Sequence, residues 1–234
     1  ARRIFYKTYY YFESKLLRNY EKKLAKGNQF IALSIKDRIA YQAMGAAATQ
    51  YIPLFGNPDK INCKPGKGKY CLYHGNLSVP ENEEVAVFLI EQVFSALDVP
   101  LIISGKDPSE RLRKITVRHK VELIENPDET QLYTLMSDAH IHVLPSFNQT
   151  GMKVKILHAL SNGKFVLTND SAVQHEEWAS LCMIANDADA MVRSIQQLMT
   201  LTFTQENIAE RETVMNEIFN AEKNREKLIR ILFS

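Results

Sequence analysis

Pro145-Ser146-Phe147-Asn148-Gln149-Thr150-Gly151-Met152-Lys153-Val154-Lys155-Ile156-Leu157-His158-Ala159-Leu160 is the stretch on which the fold turns. The apolar run Ile141 to Leu144 ahead of it reads as a strand, the polar segment with Gly151 as a turn, and Lys153 to Ser161 as a helix. Such a turn presents backbone N–H groups at a helix N-terminus, where they and the helix dipole favour an anion such as phosphate. Thr150-Gly151 is the expected cradle. Lys153 and Lys155 lie about 200° apart on an ideal helix, so at most one of them reaches an anion there, and Lys153 is favoured. His158 follows Thr150 by eight positions, about two turns and 12 Å along roughly the same side, so the pair can grip two parts of one elongated ligand. The bland alternative is a plain strand-to-helix turn with a core histidine.

Working outward, the same alternation repeats. Strand-like runs at Tyr70 to His74, Leu101 to Ser104, Val121 to Ile124, Phe165 to Thr168 and Cys182 to Ala185 flank the central one. Helical stretches at Asn82 to Leu97, Ser109 to His119, Glu129 to Ala139 and Asp189 to Met199 separate them. Nearly continuous apolar strands joined by long crossovers predict an α/β, Rossmann-like, doubly wound parallel sheet with helices on both faces. Ligands of such sheets sit at the carboxyl ends of the strands, here Gly75, Gly105, Asn126, Pro145-Ser146 and Asn169. Upstream, breaker-rich residues Gly56 to Gly68 read as a linker, with a boundary near Asp59. Ahead of it lie a short strand at Phe30 to Leu33 and a helix from about Asp37 to Met44 capped by Ser34. Residues 1–58 thus read as the tail of a preceding domain, 59–200 as the sheet domain and 201–234 as closing helices.

Between Arg2 and Lys26, Phe5, Tyr9, Phe12, Leu16, Tyr20 and Leu24 mark one stripe of a long helix. Eight basic residues against Glu13 and Glu21 give this segment +6, which leaves −4 for the rest of a chain whose net charge is +2. Two readings stand: the stripe packs on another protein layer, or the basic, Tyr-rich surface rests on an anionic membrane or a lipid-linked substrate.

The 234 residues are 45% hydrophobic and 24% charged, which excludes a disordered, collagenous or coiled-coil chain. A net charge of +2 is too balanced for a duplex nucleic-acid partner. No apolar run reaches the roughly 18–20 residues of a membrane span, and Cys63, Cys71 and Cys182 form no C-x-x-C pair, so a reducing, cytoplasmic setting is expected. His140 and His142 share a strand face without a third metal ligand at readable spacing, so no metal is expected. The Lys64 to Lys69 loop lacks the spacing of a phosphate loop. Trp178 either lines the pocket beyond Asn169-Asp170 or packs on the surface. No acidic pair follows the first strand, which disfavours a receiver-like signalling domain.

Pro145-Ser146 at a strand end, the polar glycine turn, and a helix running to Ala159-Leu160-Ser161-Asn162-Gly163-Lys164-Phe165-Val166 together resemble the donor-binding motif of glycosyltransferase family four (group 1), of GT-B fold. Thr150-Gly151-Met152-Lys153-Val154-Lys155 resembles the T-G/R-x-K form of the turn in bacterial polysaccharide-assembly members. Tyr73-His74-Gly75-Asn76-Leu77 and Ile103-Ser104-Gly105-Lys106 are similar to the first two strand exits of the donor half, and Ala32-Leu33-Ser34-Ile35-Lys36-Asp37 to the end of the first half.

The resemblance implies a nucleotide-sugar donor bound in this C-terminal half and a saccharide or lipid-linked acceptor bound in the other half. It also implies retaining, metal-independent transfer without a cofactor. A catalytic base from the first half would lie outside the chain, which then reads as a fragment inactive alone. The family's two glutamates, eight apart, correspond to Thr150 and His158, and its diphosphate-neutralising arginine and lysine to Asn76 and about Asn82. Lys106 and Lys153 are the expected replacements for those charges, and backbone groups near Asn126 are the expected base contacts. Donor-binding residues are therefore Gly75, Asn76, Asn82, Lys106, Asn126, Ser146, Thr150, Gly151, Lys153 and His158. A non-catalytic sugar- or nucleotide-binding protein of the same fold is the alternative.

Overall fold

Ser34, Ser109, Asp128, Asp187 and Thr204 each accept a backbone N–H at the start of a helix, so five helices begin where a short oxygen-bearing side chain caps them. The computed structural model describes residues 2–53, 61–148, 152–173 and 176–233. The expected boundary near Asp59, and the cradle residues Thr150 and Gly151, lie outside them.

The first unit comprises α1 (Arg2–Ala25), β1 (Gln29–Ala32), α2 (Ile35–Ala43) and β2 (Ala48–Tyr51). β1 and β2 pair in parallel with α2 as crossover, and Phe30 stacks on Tyr41 at 4.5 Å. α1 touches this unit at its end, where Ala25 is fully buried and Lys26 bridges to Ala46. Tyr9, Phe12, Leu16, Tyr20 and Leu24 are all exposed.

The main body is a six-stranded parallel sheet built from β3 (Cys71–Asn76), β4 (Leu101–Lys106), β5 (Glu122–Glu125), β6 (Ile141–Val143), β7 (Phe165–Thr168) and β8 (Met183–Ile184). Their order is β5-β4-β3-β6-β7-β8. The intervening helices are α3 (Pro80–Phe88), α4 (Glu110–His119), α5 (Glu129–Asp138), α6 (Val154–Asn162), the short α7 (Asp170–Val173) and α8 (Ala188–Thr200). α9 (Gln205–Phe219) and α10 (Ala221–Phe233) close the chain. α3 continues into a π-helical turn at Leu89–Val93.

Alternate residues of the sheet feed two cores, as period-two geometry requires. Leu72 and Ile102 pack with Leu135, Met136 and Ala139 of the α5 segment. Tyr73, Ile103, Ile141 and Val143 join Val85, Leu112, Met191 and Ile195 in the main cluster. Each fully buried side chain of this size contributes about 1.5–3 kcal/mol. Trp178 belongs to that cluster and is 1% exposed, which corrects both readings of it: it neither packs on the surface nor lines an open pocket.

The amino end of the sheet is fastened by side chains that reach backbone carbonyls. Gly68 N–H donates to His140 Nδ1 (3.0 Å), which leaves Nε2–H to donate to Leu198 O (2.9 Å). His142 Nε2 meets Met136 O at 3.0 Å, Lys164 Nζ donates to Ser137 O (2.6 Å), and Lys67 Nζ to Thr200 O (3.2 Å). The buried Arg211 guanidinium donates to Leu160 O, Gly163 O and Lys164 O at 2.5–2.8 Å. Both strand histidines are thus structural. The lysine-dotted loop, read as part of a linker, is pinned by Gly66 N–H to Phe203 O (2.8 Å).

Candidate functional site

β3 is followed by α3, which leads to β4, whereas β6 is followed by α6, which leads away to β7. The connection therefore reverses direction between β3 and β6, and a crevice opens at the carboxyl ends of that pair. The strand exits form its floor. A Cβ at Gly105 would lie 1.9 Å from the Gly75 carbonyl oxygen, so only glycine lets these neighbouring strands close together there. Lys106 ends β4 exposed, paired in register with Asn76, and its carbonyl accepts Leu77 N–H at 2.9 Å. Asn126 has φ +49° and accepts Asp107 N–H (3.0 Å), which joins the β4 and β5 exits two strands from the reversal point.

The two asparagines at the end of β3 and the start of α3 are occupied by the protein itself. Asn76 Oδ1 accepts Ser78 N–H (3.1 Å) and Ser78 Oγ–H (2.8 Å), a turn-forming use of the side chain. Asn82 Nδ2 donates to Asn76 O at 2.9 Å, and its backbone carbonyl accepts Tyr73 O–H at 2.9 Å. Its remaining oxygen, Oδ1, accepts from Lys155 Nζ at 3.3 Å.

On the β6 side, Ser146 is buried and exchanges two hydrogen bonds with Asn169, 3.0 Å from its own N–H to Oδ1 and 2.9 Å from Nδ2 to its carbonyl. Its hydroxyl donates to Asn148 O (2.9 Å) and stands 3.5 Å from Glu81 Oε1. Lys153 precedes α6 in a non-helical conformation (φ −90°, ψ 67°), so the ideal-helix angle between Lys153 and Lys155 does not apply. Both lysines face one region. The Lys153 ammonium is held below its ordinary pKa by burial and by the Lys36 charge, with Glu81 and Asp37 acting the other way. Lys155 is pushed down to about 8 by burial and then by Lys153, with Glu81 again opposing. His158, one turn further along α6, is exposed. The structure thus brings Gly75, Asn76, Asn82, Ser146 and Lys153 to the crevice region and sets Asn126 two strands away.

Sequence reasoning set Lys155 aside in favour of Lys153 and missed Glu81 and Tyr73 as members of this cluster. The ideal-helix angle that separated the two lysines fails because Lys153 stands before the helix. A second cavity, of about 850 Å³, is bordered by Tyr51, Glu177, Ile218 and Lys227, and by none of the expected donor residues. Among the described residues no group of three His, Cys, Asp or Glu side chains is placed to hold a metal ion, and no helix is long and apolar enough to cross a membrane.

A family profile described as glycosyl transferases group 1 matches residues 68–200, more than half of the chain and the whole of the crevice. The chain belongs to that family. This group 1 chain is 25% identical over 181 residues to an uncharacterized 44.6 kDa protein of the cps region of Klebsiella pneumoniae, covering 70% of this chain and 45% of the relative. It therefore spans about half the length of that relative. Among solved structures it is similar to a mutant of S. aureus TarM in complex with fondaparinux, α-GlcNAc-glycerol and UDP (TM-score 0.69, 14% identity, covering 87% of this chain and 43% of that one). A glycosyltransferase from Rickettsia africae gives TM-score 0.69 at 14% identity, over 91% of this chain and 66% of its own. The group 1 fold expected from the sequence is confirmed: the sheet is that of the GT-B glycosyltransferases.

Proposed function

We propose that this chain is the donor-binding half of a retaining glycosyltransferase that moves a sugar from a nucleotide-sugar donor to a saccharide or lipid-linked acceptor, without a metal cofactor, in polysaccharide assembly. The observation that carries the reading is the reversal point between β3 and β6, where the group 1 match, the glycine-closed strand exits and two lysines coincide. Support for the ligand class comes from the UDP and sugar bound to the TarM mutant, and for the pathway from the cps-region relative. Retention is supported by a similar trehalose-6-phosphate synthase studied for glycosyl transfer with retention (TM-score 0.59, 13% identity). Residues 59–200 are the donor domain in this reading, with 1–58 from the first half and 201–234 as closing helices, and cytoplasmic work follows from a nucleotide-sugar substrate. Thr150, Gly151 and His158 contact the donor, and Lys106 adds charge at the β4 exit.

Calorimetric titration of the intact protein with UDP, GDP and their sugar conjugates tests this, with His158→Ala for comparison. One nucleotide binding in the micromolar to low-millimolar range, weakened by the substitution, is expected. Silence across the panel overturns the donor reading. A second reading, a binding protein without turnover, is favoured by the imidazole at position 158 where the family resemblance calls for a carboxylate. Donor binding without sugar release or transfer to any acceptor would select it.

A further inference from the structure

Lys155 spans the reversal point. Its backbone belongs to α6, which follows β6, while its ammonium rests on Asn82 of α3, which follows β3, at 3.3 Å from Oδ1. The same ammonium lies 4.9 Å from the centre of the Tyr73 ring on β3. Among the described residues, no carboxylate stands within 4 Å of it in an ion pair. The groups around it are Lys153 and His158 on its own segment, Glu81 and Asn82 on α3, and Tyr73 and His74 on β3.

Among the described residues, two ammonium groups and one carboxylate leave this corner with an excess positive charge. Lys36 and Asp37 of the first unit, which also act on Lys153, oppose one another. The excess is placed at the start of α6 and α3, where helix N-termini add positive potential rather than offset it. A partly desolvated cation that repels its neighbour is an unfavourable arrangement for the protein alone and a favourable one for an arriving dianion.

We infer that Lys155 carries the positive charge that meets the diphosphate of the nucleotide-sugar donor, delivered from α6 onto the Asn82 end of α3 across the reversal point. The inference rests on the donor-binding reading and deepens it. Asn76 and Asn82 supply no charge of their own, and the cation reaches their place from a helix residue 73 positions beyond Asn82. Protonation of Lys155 is then coupled to binding. The diphosphate raises the ammonium's pKa from about 8, so binding takes up protons near that pH, and affinity declines as pH rises through it.

The test is calorimetry of the intact protein at about pH 8 with UDP, UMP, GDP and GMP, in two buffers of different ionisation enthalpy. For the base that binds, Lys155→Met lowers diphosphate affinity about tenfold or more and monophosphate affinity about twofold or less. The unaltered protein takes up about half a proton per diphosphate. Lys155→Arg keeps most of the affinity and abolishes the uptake, a readout that a merely structural role would not move. Thermal unfolding of each variant checks that it is folded. Equal losses for diphosphate and monophosphate, unchanged affinity in Lys155→Met, or proton uptake that persists in Lys155→Arg overturns the inference while leaving the donor reading intact. No binding of any nucleotide by the unaltered protein defeats both.

Discussion

At the amino end of the parallel sheet, Lys67, Lys164, Arg211, His140 and His142 all reach backbone carbonyls, most of them in the last turns of α5, α6 and α8. At the carboxyl end, Lys153 lies close enough to Lys155 to depress it, and both stand beside the first turns of helices. The contrast follows from winding. Helices that return a parallel sheet leave their carbonyl-rich, partially negative ends at the amino side and their N–H-rich, partially positive ends at the carboxyl side. A cation at the first end completes the fold, whereas on the donor-binding reading a cation at the second meets the ligand. Stability and binding are therefore separable by position along the same strands.

The largest effect is expected at Arg211. Replacing Arg211→Met leaves three buried carbonyls without their donor, so a loss of about 3–5 kcal/mol is expected in chemical denaturation. Gly163→Ala comes next. A Cβ there would meet His142 Nε2 at 2.0 Å, and overpacking of this kind costs about 1–3 kcal/mol. The double variant with His142→Ala should regain part of the loss in a double-mutant cycle, whereas strict additivity would show that the clash is not the cause.

The smallest effect is expected at the carboxyl end of the sheet. Glu176, after β7, has its carboxyl raised to about 7 by burial and then by the Asp37 and Glu177 charges. The folded state thus binds the proton more tightly than the unfolded one, so stability falls as pH rises from about 4.5 to about 7. With partial exposure discounted, the change is on the order of 1 kcal/mol. Denaturation midpoints at about pH 5 and about pH 8 should converge in Glu176→Gln, and an undiminished difference would assign the pH dependence elsewhere.

The architecture was legible because strands such as Phe165 to Thr168 are short, apolar and bounded by turn residues. β2 was missed, since Ala48-Thr49-Gln50-Tyr51 has no apolar run and becomes a strand only through its pairing with β1. β4 runs on through Gly105 to Lys106 because that glycine admits the Gly75 carbonyl rather than turning the chain. In the site, the strand exits could be listed from periodicity alone. The meeting of Lys155 with Asn82 could not, because it depends on strand order and on α6 beginning one residue after Lys153.

α1 carries a colloidal consequence. A helix of 24 residues is a bar about 36 Å long, and its exposed Tyr9, Phe12, Leu16, Tyr20 and Leu24 are sticky while residues 2–26 carry a charge of +6. At low ionic strength that charge holds molecules apart. At about 0.1 M salt the repulsion dies away within roughly 10 Å, and the aromatic attraction remains. For the chain with this bar uncovered, added salt therefore favours clustering, and dilute buffer keeps the suspension dispersed.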